Sequence, residues 1–128
     1  MMTSINGLKQ AYFFKDGYLR TASQEFWLDE IDEIASHLTN DAIQKHVEGY
    51  GRFEAGNKLS YADFQKHLDH YHPGTSFQKD IYPSIKRIVT DTMIATFDKI
   101  DIHRRLNSFE IFGYDFMIDD KMKVWLIE

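Results

Sequence analysis

The segment from residue 79 to residue 100 constrains the fold of this chain most strongly. Its apolar residues recur at spacings of three and four, a pattern that predicts an amphipathic helix with one face to bury. These residues are Ile81, Ile85, Ile88, Val89, Met93, Phe97 and Ile100. A single helix cannot cover its own apolar stripe, so other parts of the chain must form a layer against it.

The start of the chain predicts strands for that layer. Residues 1–5 are predicted to form a strand, and the dipeptide Asn6-Gly7 favours a tight turn after it. Residues 11–14 are rich in β-formers and predict a second strand. After a further turn signal, residues 18–21 continue in an extended conformation, so we expect a β-meander.

The rest of the chain predicts helices and then a hairpin. Asn40 is typical of the residue that caps a short helix, and Ser60 begins a capping-box pattern for another. Residues 109–118 and 124–127 are β-forming and enclose a polar turn. The predicted class is therefore α+β, with antiparallel strands at both chain ends and a helical region between them.

Length and composition exclude several functions. The 128 residues suit one domain, and no linker divides residues 1–128, so we expect no internal boundary. The net charge of −5 argues against nucleic acid as a partner. The absence of cysteine excludes a disulfide framework, a cysteine-ligated zinc site and a cysteine nucleophile. No secretory signal is expected, and no apolar run reaches membrane length, so no membrane partner is expected either.

Asp115 is the first candidate for chemistry, because a carboxylate inside an apolar strand is costly unless it is paired. Gly113 shares its face and leaves room for a ligand. With a hairpin loop of two or four residues, Glu128 also shares that face, and two adjacent carboxylates favour a hard cation such as Mg²⁺. A three-residue loop would put the carboxylates on opposite faces. An arginine partner for Asp115 is the alternative to a metal.

Two other segments carry candidates with ordinary structural alternatives. Arg20 has the geometry to bind phosphate or carboxylate, but taken by itself it is better interpreted as an exposed residue at a strand end. The sequence His-Leu-Thr-Asn at residues 37–40 groups hydrogen-bonding side chains and is also typical of a turn or a helix cap.

Histidines and basic clusters remain. His67 and His70 share a helix face and could bind zinc with a third ligand, or simply lie at a solvated helix end. Lys86-Arg87 and residues 103–105 could bind an acidic partner, although such charge runs are usually solvated.

Four segments together resemble the catalytic domain of tubulin–tyrosine ligase and the related tubulin–tyrosine ligase-like amino-acid ligases. The segments are 19–23, 37–45, 50–57 and 109–119, the last running on to 124–128. The most specific motifs are His-Leu-Thr-Asn at 37–40 and Phe-Gly-Tyr-Asp at 112–115. The resemblance covers nearly the whole chain and is closer to the tyrosine ligases than to the glutamylases or glycylases.

This resemblance implies an ATP-grasp-like fold and a ligase that uses ATP and Mg²⁺ to activate a carboxylate as an acyl phosphate. Asp115 and Glu128 match its metal-binding positions, and Arg20 matches an active-site arginine that meets phosphate and acyl charge. Thr39 and Asn40 lie in a motif that lines the cofactor site. The implied partners are the acidic C-terminal tail of tubulin and a free amino acid, Tyr or Glu. The implied setting is cytoplasmic, including microtubules or cilia.

The chain resembles only the C-terminal half of that domain. The family pattern continues past Glu128 to a further metal-binding Asn, and an upstream half supplies lysines and backbone for the nucleotide. Two alternatives to an active ligase therefore stay open. One is a non-catalytic tubulin-binding module that uses a basic surface, and the other is an inactive partial gene product. The basic surface comprises Lys86, Arg87, Arg104 and Arg105.

Overall fold

The computed structural model describes residues 1–100, 103 and 105–128. In chain order its elements are β1 (Met2–Ile5), β2 (Leu8–Ala11), β3 (Tyr18–Arg20), α1 (Ile34–His37), α2 (Asp41–Gln44), β4 (Lys58–Ser60), α3 (Tyr61–Tyr71), α4 (Tyr82–Thr96), β5 (Asn107–Glu110), β6 (Phe116–Ile118) and β7 (Val124–Leu126). Helices thus mix with antiparallel strands, and the predicted α+β class is confirmed.

Two compact units make up the described chain. One combines Met1–Lys15 with Gly74–Glu128, and the other is Asp16–Pro73. We call them the first and the second unit. The absence of an internal boundary stays a prediction.

The first unit contains a three-stranded antiparallel sheet in the order β2-β1-β5. Asn6 and Gly7 join β1 to β2 with φ angles of 51° and 79°, so the predicted tight turn is confirmed. The second strand was predicted at residues 11–14 and this position is wrong. Because the turn has only two residues, pairing begins immediately after it, and β2 occupies Leu8–Ala11.

Helix α4 carries the apolar core of the first unit. A π-helical turn, Phe77–Ile81, leads into it, and the buried residues continue the predicted spacing. They are Phe77, Ile81, Ile85, Val89 and Met93. The predicted end at residue 100 is wrong, since α4 ends at Thr96. There the ammonium of Lys9 donates to the carbonyls of Phe97 and Ile100, each at 3.1 Å, which satisfies acceptors beyond the helix end.

The second unit is built on the β3–β4 pair and α3. β3 pairs antiparallel with β4, so the predicted β-meander is wrong, because β4 supplies the partner of β3 inside its own unit. The Ser60 hydroxyl accepts a bond from the Asp63 amide at 3.1 Å, which confirms the predicted cap of α3. Leu68 on this helix is fully buried.

The end of the first unit is the antiparallel β6–β7 hairpin. The hairpin was predicted, but the single strand predicted over residues 109–118 is divided into β5 and β6. β5 pairs with β1 and β6 with β7, so residues 111–114 lie between the two ladders. Among the described residues, no helix combines the length and the apolar character that crossing a membrane requires.

Two isoleucines of α4 offer a matched test of this core. Ile85 is 8% exposed and Ile94 is 71% exposed. We expect Ile85→Ala to lower the free energy of unfolding by about 2–5 kcal/mol, because it leaves a cavity. Ile94→Ala should change it by less than about 0.5 kcal/mol. Urea unfolding followed by circular dichroism measures both, and equal losses would contradict the assigned core face.

Candidate functional site

Asp115 lies at the open end of the β6–β7 hairpin. The register pairs Ile118 with Val124, and the ladder closes on a three-residue loop, 120–122. The condition of a two- or four-residue loop is therefore not met, and the hairpin has the three-residue loop that was the alternative. If this register continued without interruption, Asp115 would pair with Ile127. The side chain of Glu128 would then lie on the opposite face from that of Asp115.

A β-bulge at the open end brings Glu128 beside Asp115. The amides of Ile127 and Glu128 both donate to the Asp115 carbonyl, at 2.9 and 3.4 Å, and the Asp115 amide donates to the Glu128 carbonyl at 2.8 Å. Two residues of one strand thus oppose a single residue of the other, which is the pattern of a bulge. The extra residue of the bulge compensates for the odd length of the loop, and Glu128 therefore lies opposite Asp115 in the backbone pairing.

Both acidic residues are exposed rather than buried in an apolar strand. The alternating pattern places Tyr114 and Phe116 half-buried, while Asp115 and Met117 face solvent. The expectation that Asp115 carries a burial cost is therefore wrong. The space predicted at Gly113 is present, since an added Cβ would meet no atom within 4 Å.

Tyr114 anchors the backbone beside Asp115 to the core of the first unit. Its hydroxyl forms a hydrogen bond with the hydroxyl of Thr92 on α4, at 2.8 Å. Its ring stacks with that of Phe116, with centroids 6.0 Å apart. The strand that carries Asp115 is thereby held on its inner face.

The donor chemistry of the pair suits a hard cation with few protein ligands. Within the described ranges, no group of three His, Cys, Asp or Glu residues could hold a metal ion. Mg²⁺ commonly takes only one or two carboxylates and completes its shell with water and substrate phosphates, so Asp115 and Glu128 fit it. His67 and His70 instead pack against Tyr71, each ring 4.5 Å from the tyrosine ring.

The second unit gathers charged groups around Asp41. The Tyr50 hydroxyl donates to the Asp41 carboxylate at 2.5 Å. This bond, followed by the charges of Lys58, Arg20 and Lys45, holds the pKa of Asp41 below its usual range. Arg20 thus belongs to one polar cluster with Asp41, the residue that directly follows the 37–40 motif.

Arg20 is exposed within this cluster. Its guanidinium donates to the Tyr18 hydroxyl at 3.0 Å and lies 5.3 Å from the centre of the Tyr18 ring. Stacking on an aromatic ring orients a guanidinium while leaving its other N–H groups directed elsewhere. The residue therefore lies at the exposed end of β3 with its charge facing solvent.

Asn40 serves as the predicted helix cap. Its side-chain Oδ1 accepts a bond from the Ala42 amide at 3.0 Å, at the start of α2. Asn40 is exposed, and Thr39 beside it is half-buried. The capping role does not exclude contact with a ligand, since the amide of the side chain remains a donor.

Gln44 is a supporting residue that sequence reasoning missed. It is fully buried, and its side chain makes three short hydrogen bonds. Its Oε1 accepts from the Ser23 amide at 2.8 Å. Its Nε2 donates to the carbonyls of Ala35 and Leu38, at 2.7 and 2.6 Å. Gln44 therefore fixes the backbone that enters the Thr39-Asn40 motif, although a glutamine in a short helix gives no sequence signal of burial.

Asp119 is a second residue that was missed. Its Oδ1 accepts from the amides of Lys121 and Lys123, at 3.0 and 2.9 Å, and its Oδ2 accepts from the Trp125 indole at 2.9 Å. The bond from Trp125 and then the backbone bond from Lys123 lower the pKa of Asp119. Aspartate is favoured at the first position of a type I turn, and that signal was available in the sequence.

The first unit also contains a cleft of about 290 Å³ whose lining includes three basic residues, Lys99, His103 and Arg105. The rest of the lining is formed by the apolar Met2, Ile100 and Phe109, by Ser4 and Ser108, and by one acidic residue, Glu110. Of the predicted basic surface, Lys86 and Arg87 are exposed on α4, whereas Arg104 lies outside the described residues.

Comparison with known proteins identifies the class. The model of the tubulin-tyrosine ligase family matches residues 1–128, the full length of the chain. The chain therefore belongs to the tubulin–tyrosine ligase family.

Its curated relatives are much longer proteins. The chain is 37% identical over 121 residues to protein monoglycylase TTLL8 of Mus musculus, covering 91% of this chain and 14% of that protein. It is 34% identical over 128 residues to tubulin glycylase 3E of Tetrahymena thermophila, covering 100% of this chain and 9% of that protein. It is 36% identical over 120 residues to tubulin glycylase 3A of Drosophila melanogaster, covering 91% and 12% respectively.

The buried glutamine can be tested with a substitution of similar volume. We expect Gln44→Met to lower the free energy of unfolding by about 2–4 kcal/mol, because it leaves the buried Ser23 amide and two carbonyls without partners. His46→Ala, an exposed change two residues away, is the control and should be nearly neutral. Thermal unfolding measures both variants. A stability of Gln44→Met equal to the wild type would show that this network does not hold the motif.

Proposed function

We propose that this chain is part of an ATP-dependent ligase that joins an amino acid to the acidic tail of tubulin. The observation that supports this most is the pairing of Asp115 with Glu128 across the bulge. These are the two acidic residues that the resemblance assigns to metal binding. The chain spans at most 14% of the relatives described above, so the proposal concerns its contribution to a longer protein.

The names of the relatives indicate glycine as the amino acid. The proteins from mouse, Tetrahymena and Drosophila are all named as glycylases. We therefore propose glycine in place of the tyrosine or glutamate implied by resemblance. A tubulin substrate further implies a cytoplasmic or microtubule setting.

The proposed reaction forms one amide bond at the expense of ATP. A carboxylate oxygen of the acceptor attacks the γ-phosphorus and ADP leaves, which gives an acyl phosphate. The amine of glycine then attacks the acyl carbon, and inorganic phosphate leaves as the amide forms and the amine loses a proton. Such a reaction needs neutralisation of phosphate charge and exact placement of the two reactants.

The residues of this chain have separate roles in that scheme. Asp115 and Glu128 would hold Mg²⁺, which supplies positive charge to polyphosphate oxygens when bound. Arg20, exposed and oriented by Tyr18, would bind phosphate or acyl oxygens through its remaining N–H groups. Thr39 and Asn40 would contribute hydroxyl and amide groups to the cofactor, on a backbone held by Gln44.

A chimaera tests the proposed activity. Residues 1–128 would replace the matching segment of mouse protein monoglycylase TTLL8, and incorporation of labelled glycine, tyrosine and glutamate into tubulin would be measured. We expect ATP-dependent incorporation of glycine, and a loss of at least about 10–100-fold on Asp115→Asn or Glu128→Gln, because a divalent cation site tolerates little change around its ligands.

Asp120→Asn is the matched control, since it removes one exposed carboxylate from the same hairpin. It should leave the rate unchanged. Full activity of Asp115→Asn would refute the metal role, and incorporation of tyrosine or glutamate instead of glycine would refute the choice of amino acid.

A second candidate function is binding of an acidic tail without turnover. The basic cleft of the first unit supports it, because Lys99, His103 and Arg105 place three cationic or protonatable side chains around a space of about 290 Å³. Attraction between exposed charges of opposite sign is expected to bring an acidic peptide to such a surface and to weaken as salt is added.

Binding of a glutamate-rich peptide by fluorescence anisotropy separates this function from the first. We expect Lys99→Ala with Arg105→Ala to weaken binding about tenfold, while Lys86→Ala with Arg87→Ala removes the same charge outside the cleft and has less effect. Equal effects of the two pairs would indicate general charge attraction and would exclude a specific cleft.

A further inference from the structure

Asp115 and Glu128 can share a face of the β6–β7 hairpin only if the loop length and the strand register allow it. Side chains alternate with a period of two, so a shift of register by one residue exchanges the faces of a strand. The three-residue loop sets the register in which Ile118 pairs with Val124. Only with the additional position of the bulge does Glu128 oppose Asp115.

The loop conformation is held by the side chain of Asp119. The Met122 amide donates to the Asp119 carbonyl at 2.9 Å, and the Asp119 amide donates to the Lys123 carbonyl at 3.0 Å. Met122 has a φ of 62°, a left-handed conformation that a residue with a side chain adopts at a cost. The loop therefore needs compensating interactions to prevail over loops of two or four residues.

Asp119 supplies these interactions at three points. Its Oδ1 binds the amides of Lys121 and Lys123, and its Oδ2 binds the indole of Trp125. The first two bonds close the turn, and the third ties the loop to the middle of β7. The ammonium of Lys123 covers the Trp125 ring at 3.6 Å and stabilises the same indole position.

The tie to Trp125 lies on the face that carries the carboxylate pair. Met117 pairs with Trp125, and both are exposed. Since alternate residues of a strand share a face, Asp115, Met117 and Asp119 follow one another along it. The hydrogen bond between Asp119 and Trp125 thus holds the register of the hairpin on the same face of the strands as the carboxylate pair.

We propose that Asp119 is a positioning residue, which selects the three-residue loop and so brings Glu128 opposite Asp115 for binding a divalent cation. This inference rests on the proposed function only for the cation. The role of Asp119 in setting the register stands on the hydrogen bonds themselves. Without the Asp119 side chain, the hairpin can adopt loops of other lengths. The strand register then changes, and Asp115 and Glu128 no longer lie opposite each other.

The test uses the whole 128-residue chain, Mn²⁺ as the probe and amide NMR as the readout. In the wild type we expect Mn²⁺ to broaden the amide signals of Asp115 and Glu128, and the Asp115 amide to exchange slowly with solvent. Asp119→Ala should accelerate that exchange and weaken Mn²⁺ binding about 10–100-fold, the usual effect of losing a residue that orients metal ligands.

Two further variants separate the positioning role of Asp119 from an effect of charge and from general instability. Asp120→Ala removes an equal charge from the same loop and should behave as wild type. Asp119→Asn keeps an oxygen that can accept from the two backbone amides and should restore part of the protection and binding. It also serves as the test variant if Asp119→Ala does not fold.

Each further result decides the question. Equal weakening by Asp119→Ala and Asp120→Ala, or wild-type exchange and binding in both Asp119 variants, would overturn the positioning role. If Asp115→Asn and Glu128→Gln bind Mn²⁺ as the wild type does, the cation site fails and the role of Asp119 toward it fails too. Loss of Mn²⁺ binding in those two variants, with Asp119→Ala unaffected, would leave the proposed function intact and reject the positioning role alone.

Discussion

The parity of strand pairing is the constraint on which the candidate metal site depends. A β-strand presents alternate residues to opposite faces, so two side chains on neighbouring strands can meet only if the connection between them has the right length. The hairpin reaches this condition with an odd loop and one bulge, two departures from regular pairing that compensate each other. Either one alone would separate Asp115 from Glu128.

Buried polar bonding plays the corresponding part in the second unit. Gln44 and Asn57 are buried, and they bond to backbone groups 21 and 36 residues away in sequence, respectively. In an irregular region with few strands and short helices, such bonds satisfy the peptide groups that no ladder covers. The loops that carry the family's motifs are thereby held by side chains rather than by secondary structure.

Much of the architecture followed from local pattern. Regular periodicity identified α4, a dipeptide with positive φ identified the β1–β2 turn, and Ser60 identified the start of α3. Strand partners were not predictable in the same way, since β3 pairs with β4 at the far end of the second unit. Pairing of this kind depends on contacts between distant segments, which local propensity does not record.

For the site, residue types were readable but their environment was not. The sequence singles out Asp115 and Glu128 as a candidate pair, but it leaves the loop length open, and the burial expected for Asp115 is wrong. The bulge that sets the two residues opposite each other leaves no clear mark in the sequence. Asp119 lies in a turn that the sequence predicts, but the sequence does not indicate that its side chain bonds to the loop amides and to Trp125. Gln44 could not be found at all, since burial of a polar side chain depends on the groups that surround it.

The pairing of β1 with β5 has a consequence for the order in which the protein folds. Ser4 and Ser108 are partners in that ladder, so the first unit joins residues about a hundred positions apart. The second unit is one continuous stretch, Asp16–Pro73. During synthesis the ribosome releases the whole of this stretch before β5 exists, and domains that are complete fold first. Until β5 is made, one edge of β1 pairs with β2 and the other edge has no partner, and an unpaired edge of this kind can pair with another chain.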